Sequence, residues 1–229
     1  MHCADMTDSH QHSHDDRRPS AEAVAVEWDA RFSSSDRLFS GRANGSLRAE
    51  VSGLPAGRAL DVGCGEGADA VWLAEQGWAV TALDVSQVAL DRAAHAATRA
   101  GVEVAWMCTG LVEASLGDRF DLVAAHYPAL PSSTGHECER ALLAAVAPGG
   151  VLLVVHHADP GGAAARSHGF DPADYVGPTD LVGALLTEDW HVRIDTWRPR
   201  DVPTGGGGHT HDVVLRAHRA RRALVADLN

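Results

Sequence analysis

The spacing of apolar positions along the chain changes character near residue 58. Before it, Val24, Trp28 and Phe32 recur at i, i+4 and i+8, which predicts a short helix over 22–32. The Ser/Gly/Asn-rich stretch 33–46 reads as a loop, and 47–54 as a second short helix ending at Gly53 and Pro55. After it, short apolar runs alternate with helical patterns. Strands are expected at 59–62, 79–83, 102–107, 120–125 and 151–155. Helices are expected at 68–76 (closed by Gly77), from the N-cap Ser86 to Arg99, at 136–146 (stopped by Pro148-Gly149-Gly150) and at 179–186. Two late strands, 191–197 and 212–217, follow each other without a helix, across a loop holding Gly205 to Gly208. The alternation implies βαβ units and an α/β fold with a mostly parallel, doubly wound sheet. The last two strands imply an antiparallel hairpin at its C-terminal end. The run Val151 to Val155 has the apolar continuity of a central strand covered on both faces.

Residues 1–20 break this pattern. They carry His2, His10, His12 and His14 among Asp, Ser and Arg, and are expected to be a disordered arm. The rest, 21–229, reads as one domain, a size that a single core can serve. Composition narrows the partners. Nineteen basic residues against 31 acidic ones give a formal charge of −12, which repels phosphate backbones and argues against nucleic acid. The basic run Arg216, Arg219, Arg221, Arg222 reads as a solvated C-terminus. Cys3, Cys64, Cys108 and Cys138 show no framework spacing, which suits a reducing compartment. No signal peptide and no apolar run of membrane-spanning length is visible. A cytoplasmic protein, monomer or homodimer, with a small-molecule substrate and no membrane partner is expected.

The chemistry concentrates in Leu60-Asp61-Val62-Gly63-Cys64-Gly65-Glu66-Gly67. Glycine lets a strand turn sharply into a helix and leaves room for a ligand against the main chain. Such a turn makes a nucleotide-sized crevice. Asp84 ends the next strand, where a carboxylate can accept from both ribose hydroxyls. The glycines fall as G-x-G-x-G behind Asp61. An acid at that entrance suits a ligand with ammonium and sulfonium charge better than an anionic pyrophosphate. Gly65, Gly67 and Ala70 also fit a loose dinucleotide spacing, which keeps a nicotinamide-dependent oxidoreductase as an alternative.

The turn and Asp84 resemble the first two motifs of class I S-adenosylmethionine-dependent methyltransferases, and the likeness runs from about Val26 to Arg219. Within that superfamily the chain is similar to small bacterial enzymes of the tellurite-resistance and thiopurine-methyltransferase type. That similarity lies in 28–32, 39–44 and 211–216. The resemblance implies a Rossmann-like fold, S-adenosylmethionine as donor and S-adenosylhomocysteine as product. It implies that Gly63, Cys64, Gly65 and Gly67 pass under the methionine and ribose, and that Asp61 holds the ammonium. Asp84 would bind the ribose and Val85 the adenine. The acid that the family places after the third strand is missing, so backbone of Gly110 or Leu111 would serve the adenine. The 21–56 segment, with Trp28 and Arg42, would cover the cofactor.

The methyl acceptor belongs at the carboxyl ends of the strands. His126 ends the fourth predicted strand and His156-His157 the fifth. His209 and His211 open the last, with His168 and Tyr175 on a nearby loop. Three readings stand for His126, His156, His157 and His211: a general base, hydrogen-bonded structural histidines, or a metal site of His157, His209 and His211. Strand alternation lets only one of His156 and His157 face the substrate. A soft acceptor, a thiol or chalcogen, needs no base, whereas a natural-product oxygen or nitrogen would use one. A non-catalytic nucleoside-binding protein on the same fold is a further alternative.

Overall fold

The computed structural model describes residues 21–158, 174–186, 189–200 and 210–221. The His-rich arm, His168, His209, Gly205 to Gly208 and Arg222 lie outside the described residues. Two helices come first, α1 (Ala21–Ser33) and α2 (Gly45–Val51). Then follow β1 (Arg58–Val62), α3 (Ala68–Glu75), β2 (Ala79–Asp84), α4 (Gln87–Ala100), β3 (Ala105–Cys108) and β4 (Phe120–His126). The chain continues through α5 (Glu137–Ala145), β5 (Val146–His157), α6 (Asp180–Leu185), β6 (Trp190–Pro199) and β7 (His211–Arg219).

The seven strands form one sheet in the order β3-β2-β1-β4-β5-β7-β6. Neighbours from β3 to β5 are parallel, and β7 runs antiparallel between β5 and β6. The expected α/β sheet with a C-terminal antiparallel hairpin is therefore present. One core layer packs Leu60, Val62, Val123, Leu152, Val154 and Leu215 against α5 and α6. The other packs Ala59, Leu122, Leu153, Val155 and Val214 against α2 and α3. Period-2 alternation along each strand sorts these residues between the layers.

Three boundaries differ from the sequence reading. The third strand starts at Ala105, because the Val102 amide closes α4 on the Ala97 carbonyl, beyond Gly101 at φ +69°. Pro148-Gly149-Gly150 does not interrupt the chain before β5. It forms a bulge inside it, since β4 pairs Phe120 with Val146 and then Leu122 with Val151. A side chain at Gly150 would meet the Ala147 and Phe120 carbonyl oxygens at 2.9 Å, so only glycine fits there. Finally, α2 begins at Gly45 rather than 47, because Asp69 fixes Asn44 just before it: the Asn44 amide and Nδ2 donate to the carboxylate at 2.7 and 2.8 Å.

Candidate active site

A cavity of about 360 Å³ opens at the carboxyl ends of β1, β2 and β4. Its floor is the glycine turn. The Gly63 and Cys64 amides donate to the Leu83 carbonyl at 2.9 and 3.0 Å, tying the turn to the end of β2. Gly63 and Gly65 have φ of +68° and +51°, a region that side chains rarely adopt. Both line the cavity, as do Asp61, Cys64, Asp84, Val85, Gly110 and Leu111. Gly67 does not. A Cβ there would lie 2.6 Å from Ala93 Cβ and 3.0 Å from the Trp106 ring. Its missing side chain lets α4 and β3 close on α3, which corrects the expectation that it runs beneath the ligand.

Two carboxylates sit on this floor. Asp84 is 9% exposed; its Oδ2 accepts from the Gly65 amide at 2.8 Å and its Oδ1 from Ser86 at 2.9 Å. Burial pushes its carboxyl up, against those amides. Asp61 is 2% exposed, and its Oδ2 has no hydrogen-bond partner among the described residues. Burial, then the charges of Asp69 and Asp84, push it well above the usual carboxylate range. A buried, unsatisfied carboxylate oxygen in a cavity wall calls for a donor, best a cationic one.

The segment before β1 forms the opposite wall. Trp28, Phe32, Phe39 and Arg42 line it, with Phe32 edge-on to Phe39 at 5.9 Å. Ion pairs and capping bonds hold this wall down. Glu66 accepts from the Leu38 and Phe39 amides and from Arg92 at 2.9 Å. Arg92 also donates to the Phe32 and Ser35 carbonyls. Asp29 accepts from the Ser86 hydroxyl, which itself caps α4 by accepting from Ala89.

The histidines separate. The β5–β7 register places His157 opposite Asp212 and His156 opposite Val213. His157 lines the cavity; His156 does not. It faces the other layer near Val176, and burial, then the neighbouring His157, push it down to about 4. His211 stacks on Trp197 at 4.4 Å, outside the cavity wall. His126 does line the cavity, 3.3 Å from Asp69 through Nδ1, but both its nitrogens are buried without hydrogen-bond partners and burial lowers its basicity. So the expected convergence of five histidines reduces to His126 and His157 among the described residues. No cluster of three metal-binding side chains occurs among them either.

Sequence reasoning missed Tyr127, Asp212, Arg200 and Asp69. The Tyr127 hydroxyl donates to Asp212 Oδ2 at 2.9 Å, and its ring stacks on His157 at 4.3 Å. Arg200 Nε lies 3.3 Å from Asp212 Oδ1, its Nη1 is 3.3 Å from His157 Nδ1, and its guanidinium covers the Tyr127 ring at 5.1 Å. Tyr127 has φ +52°. This strained backbone breaks the strand alternation just past β4 and carries the ring to the Val155 and Val214 layer. Asp212 was visible beside His211, but only the antiparallel register brings it against Tyr127.

Residues 59–150 match a family model described as a methyltransferase domain. By that match, residues 59–150 form a methyltransferase domain. It is 39% identical over 110 residues to a ubiquinone biosynthesis O-methyltransferase of Alkalilimnicola ehrlichii, covering 45% of this chain and 42% of that protein. It is 33% identical over 116 residues to glycine N-methyltransferase of Rattus norvegicus, covering 43% and 40%. The chain thus spans about two fifths of the length of these curated relatives. Among solved structures, one reported under "Conversion of a Disulfide Bond into a Thioacetal Group during Echinomycin Biosynthesis" superposes with TM-score 0.69 at 25% identity, over 88% of this chain and 94% of that one. TehB from Haemophilus influenzae shares the fold of this methyltransferase domain, with TM-score 0.61 at 14% identity over 83% and 66%. No helix among the described residues is long and apolar enough to cross a membrane.

Proposed function

We propose that the protein transfers a methyl group from S-adenosylmethionine to a small-molecule acceptor. The observation that carries this is Asp61: a buried carboxylate oxygen without a partner, set in a glycine-turn floor beside Asp84. The residues fit the donor. Asp61 would take its ammonium, the main chain at Gly63 and Gly65 its methionine and ribose, and Asp84 the ribose hydroxyls with its remaining lone pairs. Val85, Gly110 and Leu111 would border the adenine, with Trp28, Phe39 and Arg42 closing over the top. When bound, the donor supplies an electrophilic methyl on a sulfonium. The chain's part is to align a nucleophile with it and exclude water.

The acceptor end would be Tyr127, Pro128, Leu130, His157 and Arg200, which line the same cavity. Its mix of apolar walls and few polar atoms suits a small organic molecule. The formal charge of −12 argues against RNA. An acceptor screen with methyl-labelled S-adenosylmethionine, over thiols, chalcogen oxyanions, phenols and amines, tests the reading. Calorimetric titration should give binding of S-adenosylhomocysteine and none of NADH. Tight NADH binding without S-adenosylhomocysteine binding would replace it with the oxidoreductase.

A further inference from the structure

The segment that covers the cavity has an outer face, and a second groove of about 750 Å³ runs along it. The 36–43 segment, α3 and α4 wall this groove, together with Arg48 from α2. Val71, Trp72 and Ala96 give it an apolar lining. Arg42 and Glu66 line both the groove and the cavity, so the two share a wall.

The charge here runs against that of the chain. Arg37, Arg42, Arg48, Arg92 and Arg99 line the groove against three acids, Asp36, Glu66 and Glu75, in a protein of formal charge −12. His95 lies among them. Glu66 is engaged by Arg92 and by the Leu38 and Phe39 amides. Arg37, Arg42, Arg48 and Arg99 are exposed, and their guanidinium groups have no ion-pair or hydrogen-bond partner among the described residues. Gly41, at φ +69°, makes room for one of them: a Cβ there would lie 2.8 Å from the Arg37 Cζ. Arg37 is thereby laid against the main chain beside Arg42. Like charges from three elements around one groove repel, and a bridging anion reverses the sign of that interaction. A guanidinium is a planar fork that matches a phosphate edge. A polyphosphate offers such an edge to several guanidinia at once. The volume suits a small molecule.

We propose that this groove binds a small polyphosphate-bearing anion, and that the bound anion holds the 36–43 segment closed over the cavity. Its phosphates tie Arg37 and Arg42 on that segment to Arg48 on α2 and Arg99 on α4. Groove and cavity then tighten each other's ligand by one common factor. The site stands on the groove's own residues, whereas its effect on the cavity rests on the methyl-transfer reading above.

Calorimetric titration of the full chain with tripolyphosphate tests the site, at about 150 mM KCl, where loose surface attraction is screened. Saturable one-to-one binding is expected. The Arg48→Glu/Arg99→Glu variant, changed only at exposed positions, should bind at least about tenfold more weakly. Glu75→Arg, which adds a charge to the same wall, should bind more tightly, a gain that a misfolded variant would not show. CTP, titrated with S-adenosylhomocysteine already bound, separates two sources of the phosphates. Tighter binding than tripolyphosphate assigns a nucleotide, and equal or weaker binding an inorganic chain. Saturating tripolyphosphate should raise S-adenosylhomocysteine affinity about fivefold or more in the wild type and leave it unchanged in the double variant. No saturable binding by the wild type, equal binding by the double variant, or no gain in Glu75→Arg overturns the site. A wild-type S-adenosylhomocysteine affinity that tripolyphosphate does not move overturns the closure. If S-adenosylhomocysteine does not bind at all, the methyl-transfer reading fails, and the tripolyphosphate titration still decides the site.

Discussion

The floor of the cavity and its far end are built from different materials. The floor is mostly main chain: Gly63, Cys64 and Gly65 in a turn pinned to Leu83, with Asp84 locking it through the Gly65 amide. Its residues lie within 24 positions of one another, from Asp61 to Asp84. The far end is side chains. Tyr127, His157 and Asp212 come from, or just past, three different strands, and Arg200 follows a fourth. The cross-strand pairing of His157 with Asp212 assembles them, together with the strained backbone at Tyr127. A main-chain floor is tied to the fold, whereas a side-chain cluster can change without disturbing it. This is the division expected of a scaffold whose specificity sits on strand ends and loops.

The largest effect should separate two glycines of the same turn. Gly67→Ala forces a Cβ against Ala93 at φ +78°, and overpacking plus left-handed strain should lower stability by about 2–4 kcal/mol. Denaturant unfolding reads it. Gly65→Ala carries the same left-handed strain at φ +51° but meets nothing nearer than Phe39 at 3.5 Å, so its stability loss should be smaller, about 1–2 kcal/mol, with a loss of S-adenosylhomocysteine affinity beside it. Equal stability losses in the two variants would erase the distinction.

The next effect tests the far end's layer. His156 is held neutral in the fold, down to about 4, mainly by burial, while the unfolded chain returns it to the ordinary value of about 6.5. The unfolded state then binds the extra proton first. This contribution to stability is complete above about pH 6.5 and is lost as the pH falls toward 4, on the order of 2–3 kcal/mol. Asp61 and Asp84, raised by burial, act in the opposite sense, so the difference between wild type and His156→Gln isolates the histidine. Parallel stability curves for the two proteins between pH 4 and 7 would refute its burial.

Asp84→Ala should weaken S-adenosylhomocysteine binding by about 1–3 kcal/mol, through the ribose bonds and the freed Gly65 amide. An unchanged calorimetric affinity would remove Asp84 from the floor. The smallest effect is Tyr127→Phe, which deletes the bond to Asp212. It should lower stability by about 1 kcal/mol and acceptor turnover with it. S-adenosylhomocysteine affinity should stay the same; a change in it would show that floor and far end are not independent.

Much of the cavity floor was legible because its logic is local. A strand, a G-x-G-x-G turn and an acid on the next strand are fixed by spacing, and Asp61, Gly63, Gly65 and Asp84 stand where that spacing put them. Gly67 shows the limit: the motif contains it, but its purpose is a contact with Ala93, on a helix the motif does not describe. The histidines show it more sharply. Alternation correctly allowed only one of His156 and His157 into the cavity, yet it could not choose between them.

The sequence by itself determined the alternation of strands and helices, the antiparallel finish and the nucleotide-type turn, because each depends on neighbours within a few residues. Only the tertiary structure decided which imidazole lines the cavity and that Asp212, Tyr127 and Arg200 surround it. Those outcomes depend on the register between strands more than 50 residues apart in the chain. A shift of one residue there would turn every side chain to the opposite face.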